Sequence, residues 1–303
     1  MLKKLLGAAT ALALVLPGVA LAQAAPAPQA AAPLKDADPA LWVVKDADTT
    51  IYLFGTVHVL KPGLSWFDEA VKKAFDSSDQ VVLELVEPDQ TTMQGLILKT
   101  GIAMTGPTLT EKLPDDKRAA YAKVLAGLGM PEGAFDRFKP WFAAMTLGLM
   151  PLAKLGYDPN SGAERTITAA AKAKNKPVSG LETAEIQLGY LDGLPDDVQM
   201  KYLVSTIDDY SKIGTMLDTM VDQWAAGQPD ALAATMNEDM KASPELAKVL
   251  LTDRNARWAK QIEAMLAKPG TVFIAVGAGH LAGPTSVQAF LAKDHIRAKR
   301  IPY

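Results

Sequence analysis

The sequence predicts an α/β (α+β) fold, a single mixed β-sheet core carrying a large helical insertion. Three observations lead there. Apolar, β-branched runs stand near both ends of the chain, while helical patterns fill the middle. The first strands follow a strand–helix–strand order that implies parallel pairing. A Gly-x-x-His tetrad recurs directly after two of the strongest strand patterns.

The N-terminus reads as an address. Lys3 and Lys4 precede an apolar run over residues 5–16, Pro17-Gly18 interrupt it, and Ala20-Leu21-Ala22 offers a cleavage site. That run is short of the roughly 20 residues a bilayer span needs. The expectation is a signal peptide over residues 1–22, cut after Ala22, delivering a periplasmic or secreted protein. Residues 23–38 are Ala/Pro-rich and read as a flexible leader, and residues 39–303 as one domain. With no cysteine, the chain has no disulfide, thiolate metal site or covalently attached haem. Once Lys3 and Lys4 leave with the signal, 29 of the 31 basic residues face 34 acidic ones, without a basic cluster. A nucleic-acid partner is not expected, nor is an integral membrane span after signal cleavage.

Leu41-Trp42-Val43-Val44 and Ile51-Tyr52-Leu53-Phe54 flank Lys45-Asp46-Ala47-Asp48 and predict a β-hairpin. Ser65, three residues before Asp68, resembles a capping box and predicts a helix over residues 66–75. Gln80-Val81-Val82-Leu83-Glu84-Leu85 predicts a buried strand. Pro114 and Pro140 each open a helix, and residues 163–174 form another. Residues 176–182 predict a short strand ending in Glu182, followed by Thr183 as a helix cap. Three helices are expected over residues 195–268, with Pro195, Pro229 and Pro244 near their starts. Thr271-Val272-Phe273-Ile274-Ala275-Val276 is the clearest core strand, and a helix from about Pro284 leads to a last strand over residues 296–303. Met216, Met220, Met236 and Met240 read as adaptable core.

The chemistry concentrates at strand ends. Gly55-Thr56-Val57-His58 and Gly277-Ala278-Gly279-His280 each follow four apolar strand residues and hold two of the three histidines. A residue just past a strand's carboxyl end lies where open α/β sheets place ligands. His295, in a charged run, reads as surface. Glu84 lies inside an apolar strand, where a carboxylate is costly unless it is paired or binds a cation. These histidines, with Glu84 and Glu182, suit a nitrogen/oxygen site for a divalent metal such as zinc, manganese or cobalt. They equally suit a metal-free acid/base pair in which histidine activates water. A buried salt bridge from Glu84 to Arg254 or another cation is a further reading. Arg254 and Trp258 share a helix face with Asn255 beside them, as substrate contacts or as a plain Arg–Trp stack.

At these residues the chain resembles the TraB/GumN family, within a wider group containing the Tiki proteases, erythromycin esterases and haem-binding ChaN-like proteins. The marks are Gly55-Thr56-Val57-His58, the Glu84 strand, Lys139-Pro140-Trp141, Gly180-Leu181-Glu182-Thr183 with Gln187, Arg254-Asn255-Ala256-Arg257-Trp258, and Gly277-Ala278-Gly279-His280-Leu281. Gly162-Ala163-Glu164 departs mildly from the Gly-Val-Asp or Gly-Ile-Asp of many relatives but keeps a carboxylate. The resemblance implies a Tiki- or erythromycin-esterase-like fold. It also implies an exported, metal-dependent peptidase-like hydrolase acting on a peptide or small molecule. His58, His280 and Glu84 would be metal ligands, Glu84 or Glu182 the base, and Arg254 and Asn255 the groups that position substrate or steady an oxyanion. The alternatives are a non-catalytic ligand-binding protein of haem type and an accessory protein for envelope polysaccharide.

Overall fold

A computed structural model describes residues 34–303 apart from 241 and 242, so the expected signal and most of the leader lie outside the described residues. Eight strands follow in chain order: β1 (Lys35–Asp36), β2 (Leu41–Lys45), β3 (Thr49–Thr56), β4 (Leu64–Ser65), β5 (Gln80–Leu85), β6 (Val178–Glu182), β7 (Gly270–Gly277) and β8 (Lys299–Arg300). Six form one mixed sheet in the order β6-β5-β7-β3-β2-β8. The four strands β6, β5, β7 and β3 run parallel, whereas β2 is antiparallel to both its neighbours. The fold class read from the sequence is therefore the observed one. β1 pairs with β4 in a separate small ladder, and Asp38 N–H donates to the Ala225 carbonyl. The end of the expected leader is thus tied to the domain.

The hairpin of β2 and β3 forms as expected, with Lys45 opposite Thr50. The crossover from β3 through the helix Glu69–Ser77 does not bring β5 alongside β3. β7 lies between them, pairing with both. Its run Val272–Val276 is buried on both faces, and the most apolar strand takes the centre of a parallel sheet. Phe273 and Ala275 pack with Phe54, Phe75 and Trp224 on one face. Val272, Ile274 and Val276 pack with Trp258, Ile262 and Leu291 on the other.

Helices between β5 and β6, and again between β6 and β7, make a second core of their own around Tyr121, Trp141, Leu188 and Leu203. Pro140 stands at the first turn of Pro140–Leu149, a helix buried nearly all round, as its uniformly apolar sequence requires. The stretch from Pro195 divides more finely than the prolines suggest. Asp196–Asp209 and Ile213–Ala225 are separated by a 3-10 turn, and Pro244–Ala247 passes through a π-turn (Lys248–Thr252) into Asp253–Leu266. The expected last strand shortens to β8 at the edge. Met220 and Met236 join the helical core. No helix among the described residues is long and apolar enough to cross a membrane.

The helix Ala163–Ala173 begins hard against the end of β3. Ala163 N–H donates to the Val57 carbonyl at 3.0 Å, and a methyl group on Gly162 would lie 2.1 Å from the His58 carbonyl oxygen. Gly162→Ala is expected to push the helix away and cost about 1–3 kcal/mol. Chemical denaturation checks this, and an unchanged midpoint would overturn the close approach.

Candidate active site

Gly55 stands opposite Val276 in the parallel ladder, and Thr56 opposite Gly277. β3 and β7 therefore end together, and both histidines emerge at one edge of the sheet. β5 and β6 add Glu84 and Glu182 at the same edge, with Leu85 opposite Glu182. The structure brings together all six expected site residues. It also separates them into a back layer and a front layer.

Arg254 organises the back layer. Its Nη2 donates to Glu84 Oε1 at 2.5 Å and to Glu182 Oε2 at 2.8 Å, while Nε reaches Glu182 Oε2 at 3.0 Å. Gln187 Nε2 bridges the same two carboxylates at 2.9 and 3.2 Å. Trp258 Nε1 and Tyr190 Oη donate to Glu182 Oε1. The remaining Arg254 Nη1 donates to the Leu250 carbonyl, which the π-turn presents at the helix start. The guanidinium also stacks on Trp258, 4.7 Å from the ring centre. Burial opposes ionisation of Glu84, but Arg254 outweighs it and holds the carboxyl at about 2.

His280 belongs to this layer. Asn255 Nδ2 donates to the Thr285 carbonyl, so its Oδ1 is the acceptor 2.6 Å from His280 Nδ1. Nδ1 therefore carries the proton, and the Nε2 lone pair faces Arg254 Nη1 at 3.3 Å. Burial and the Arg254 charge push His280 down to about 3, which leaves it neutral at ordinary pH. Its ring packs on Trp258, with 4.3 Å between centres.

His58 forms the front layer. Its Nδ1 lies 2.6 Å from Glu164 Oε1, and Thr56 Oγ1 donates to the same oxygen. Burial would lower the His58 pKa, but the charge and hydrogen bond of Glu164 lift it to about 9. Nε2 is buried and has no hydrogen-bond partner among the described residues. A methyl group built on Gly277 would stand 3.4 Å from both His58 Nε2 and Glu84 Oε2, and 3.6 Å from His280 Cδ2. Glycine at 277 thus keeps open a small space to which His58 and Glu84 both point. A cleft of about 490 Å³ borders these groups, lined by His58, Glu84 and Glu164 but not by Glu182, Arg254, Asn255 or His280.

Two expectations change. Arg254 and Asn255 are each 1 % exposed with their donors engaged inside the protein, so they are turned to Glu84 and His280 and not to the cleft. Glu182 is likewise enclosed by Arg254, Trp258, Tyr190 and Gln187, away from the cleft lining. The pairing of Glu84 with Arg254 and the Arg–Trp stack are what is found. Glu164 was read only as a family departure, although a carboxylate in a first helical turn after glycine was the available signal.

A catalytic divalent metal wants three protein donors with free lone pairs. Here His280 Nε2 faces a guanidinium, and Arg254 already supplies the cation to Glu84. Among the described residues no three His, Asp or Glu side chains are arranged to hold an ion. The set His58, His280 and Glu84 does not fit a resident metal in this arrangement.

Arg254→Met would strand two buried carboxylates and is expected to cost about 3–5 kcal/mol in denaturant unfolding. A loss below about 1 kcal/mol would contradict the central role of Arg254. The histidines make opposite demands on pH. The stabilisation from His58, raised from 6.5 to about 9, is complete below pH 6.5 and lost as pH climbs through 9. That from His280, lowered from 6.5 to about 3, is complete above pH 6.5 and lost as pH falls through 3. The melting temperature is therefore expected to peak near pH 6.5, with the alkaline fall flattened in His58→Gln. An alkaline fall of the same steepness in that variant would reject the assignment.

Comparison with known proteins agrees with this arrangement in one respect, the family. A model of the TraB/PrgY/gumN family matches residues 40–300. The uncharacterised protein YbaP of Escherichia coli (strain K12) is 25 % identical over 254 residues, covering 84 % of this chain and 92 % of that protein. An uncharacterised protein of Treponema pallidum (strain Nichols) is 22 % identical over 276 residues, covering 84 % of this chain and 80 % of its own. No solved structure gives a significant match. With the match running from β2 to β8 through every strand-end residue of the site, the chain belongs to the TraB/PrgY/gumN family.

Proposed function

We propose that this chain is an exported hydrolase that opens a peptide or ester bond with a water activated by His58. The observation that carries the reading is His58 Nε2, buried and unpartnered, turned towards Glu84 over Gly277 and braced from behind by Glu164. A histidine at the border of a cleft, with Nδ1 fixed by a carboxylate and Nε2 left unpartnered, is arranged for general-base work.

In the proposed reaction a water sits between His58 Nε2 and Glu84 Oε2. Glu84, ionised because Arg254 holds it so, accepts one hydrogen of the water and aims its lone pair. It is too weakly basic to take the proton itself. Neutral His58 takes the proton through Nε2 as the oxygen attacks the substrate carbonyl carbon. Glu164 stabilises the imidazolium that forms. The same proton then passes from Nε2 to the departing nitrogen or oxygen as the acyl bond breaks, which restores neutral His58. His280 takes no part in proton transfer, since its Nε2 faces Arg254 and its Nδ1 is held by Asn255.

Because His58 is a base only when neutral, kcat/KM is expected to rise with pH and level off near 9. Glu164→Gln removes the charge that lifts His58 and should move the rise to lower pH, with a smaller plateau. His58→Gln should lower kcat by about 100-fold or more while the protein stays folded. The test screens acylated peptides and esters with the purified mature chain, then records the pH profiles of both variants. Turnover that survives His58→Gln unchanged, or a profile that Glu164→Gln does not move, would sink the assignment. Turnover that needs a stoichiometric divalent metal would return the site to the metal-dependent reading.

A further inference from the structure

The cleft has a charge pattern that the hydrolytic groups do not explain. Six ionisable side chains line it: His58, Glu84, Glu87, Glu164, Arg165 and Lys172. His58 pairs with Glu164, Arg165 with Glu87 at 3.0 Å, and Glu84 with Arg254 behind the wall. The Lys172 side chain is exposed and, among the described residues, has no ion pair or hydrogen-bond partner. It is thus the cation of the lining that no neighbouring carboxylate engages, at a defined place.

That place follows from the helix Ala163–Ala173. Arg165, Thr168, Ala169 and Lys172 all line the cleft, at the spacing of one helical face. Lys172 lies eight residues beyond Glu164, which at 1.5 Å per residue puts it about 12 Å along the helix from the His58 end. Apolar side chains also line the cleft: Leu83, Leu85, Met93, Val178 and Val86, the last 48 % exposed. The cleft thus holds a reacting centre, apolar side chains and, further along the helix, a cation.

We propose that Lys172 holds the free C-terminal carboxylate of a short apolar peptide whose reacting carbonyl lies over Gly277. This rests on the hydrolase reading for the identity of the reacting end. An extended chain advances about 3.3 Å per residue, so about 12 Å corresponds to three or four residues between the reacting carbonyl and the terminus. Lys172 is then a specificity-determining residue, contributing to binding and not to chemistry.

The test separates binding from turnover. An N-acetylated tetrapeptide of alanine and valine is prepared as free acid and as C-terminal amide, and both are titrated by calorimetry into the His58→Gln protein. The free acid is expected to bind about fivefold more tightly, a modest ratio because an exposed ammonium is screened. Lys172→Gln in the same background should erase the preference and leave amide binding unchanged, while Lys172→Arg keeps it. Added salt should shrink it. Equal binding of acid and amide, a preference that survives Lys172→Gln, or no binding of either at millimolar concentration would each overturn the proposal. With His58 intact, turnover without the preference would sink the Lys172 anchor and spare the hydrolase. The preference without turnover would do the reverse.

Discussion

One guanidinium holds the sheet edge together. Arg254 lies between Glu84 and Glu182, on neighbouring strands, and those carboxylates would repel each other if left alone. A buried ion pair adds little net stability over a packed apolar pair, because desolvation cancels most of the attraction. Its value here is geometric. With Arg254 in place, Glu84 stays ionised at the bottom of a cleft, Glu182 is saturated, and His280 is kept from becoming a cation. Trp258, Tyr190 and Gln187 complete the coordination of the two carboxylates, so the back wall holds them in one arrangement.

The two histidines show how neighbours decide what a motif means. Both follow a glycine by three residues at the ends of adjacent parallel strands, and the tetrads are interchangeable as text. His280 falls on a 3-10 turn under the helix that carries Arg254 and Asn255, where it is neutral at ordinary pH. His58 meets the first turn of another helix, where Glu164 makes a cation favourable. A single imidazole chemistry is thereby split into a fixed structural group and a titrating one.

The strands were legible because period and composition are local properties. The run around Phe273 announced a buried strand, and the repeated glycines marked where two strands end. Sheet order was not legible, since nothing within β3 or β5 records that β7 will enter between them. In the same way, the buried carboxylate Glu84 advertised a need for a partner, and Arg254 was the one named. Which groups face the cleft depends on the approach of Ala163–Ala173 to β3, a contact between segments about a hundred residues apart. Glu164 and Lys172 therefore stayed hidden among ordinary helix residues, and Arg254 and Asn255 looked more available than they are.

The central position of β7 also bears on when the site comes into being. β3, β5 and β6 are all made before the helical insertion is finished; β6 can pair with β5 and β2 with β3, yet the two halves cannot join until β7 enters between β3 and β5. Long-range insertion of a middle strand is a slow, late event, and it leaves apolar edges waiting in the meantime. Gly277 and His280 come in on that same strand and the turn after it, and Arg254 on the helix just before. Assembly of the site therefore waits on the C-terminal part of the chain. Until the helix carrying Arg254 and β7 are both in place, His58 stands at the end of β3 without the braced carboxylate of Glu84.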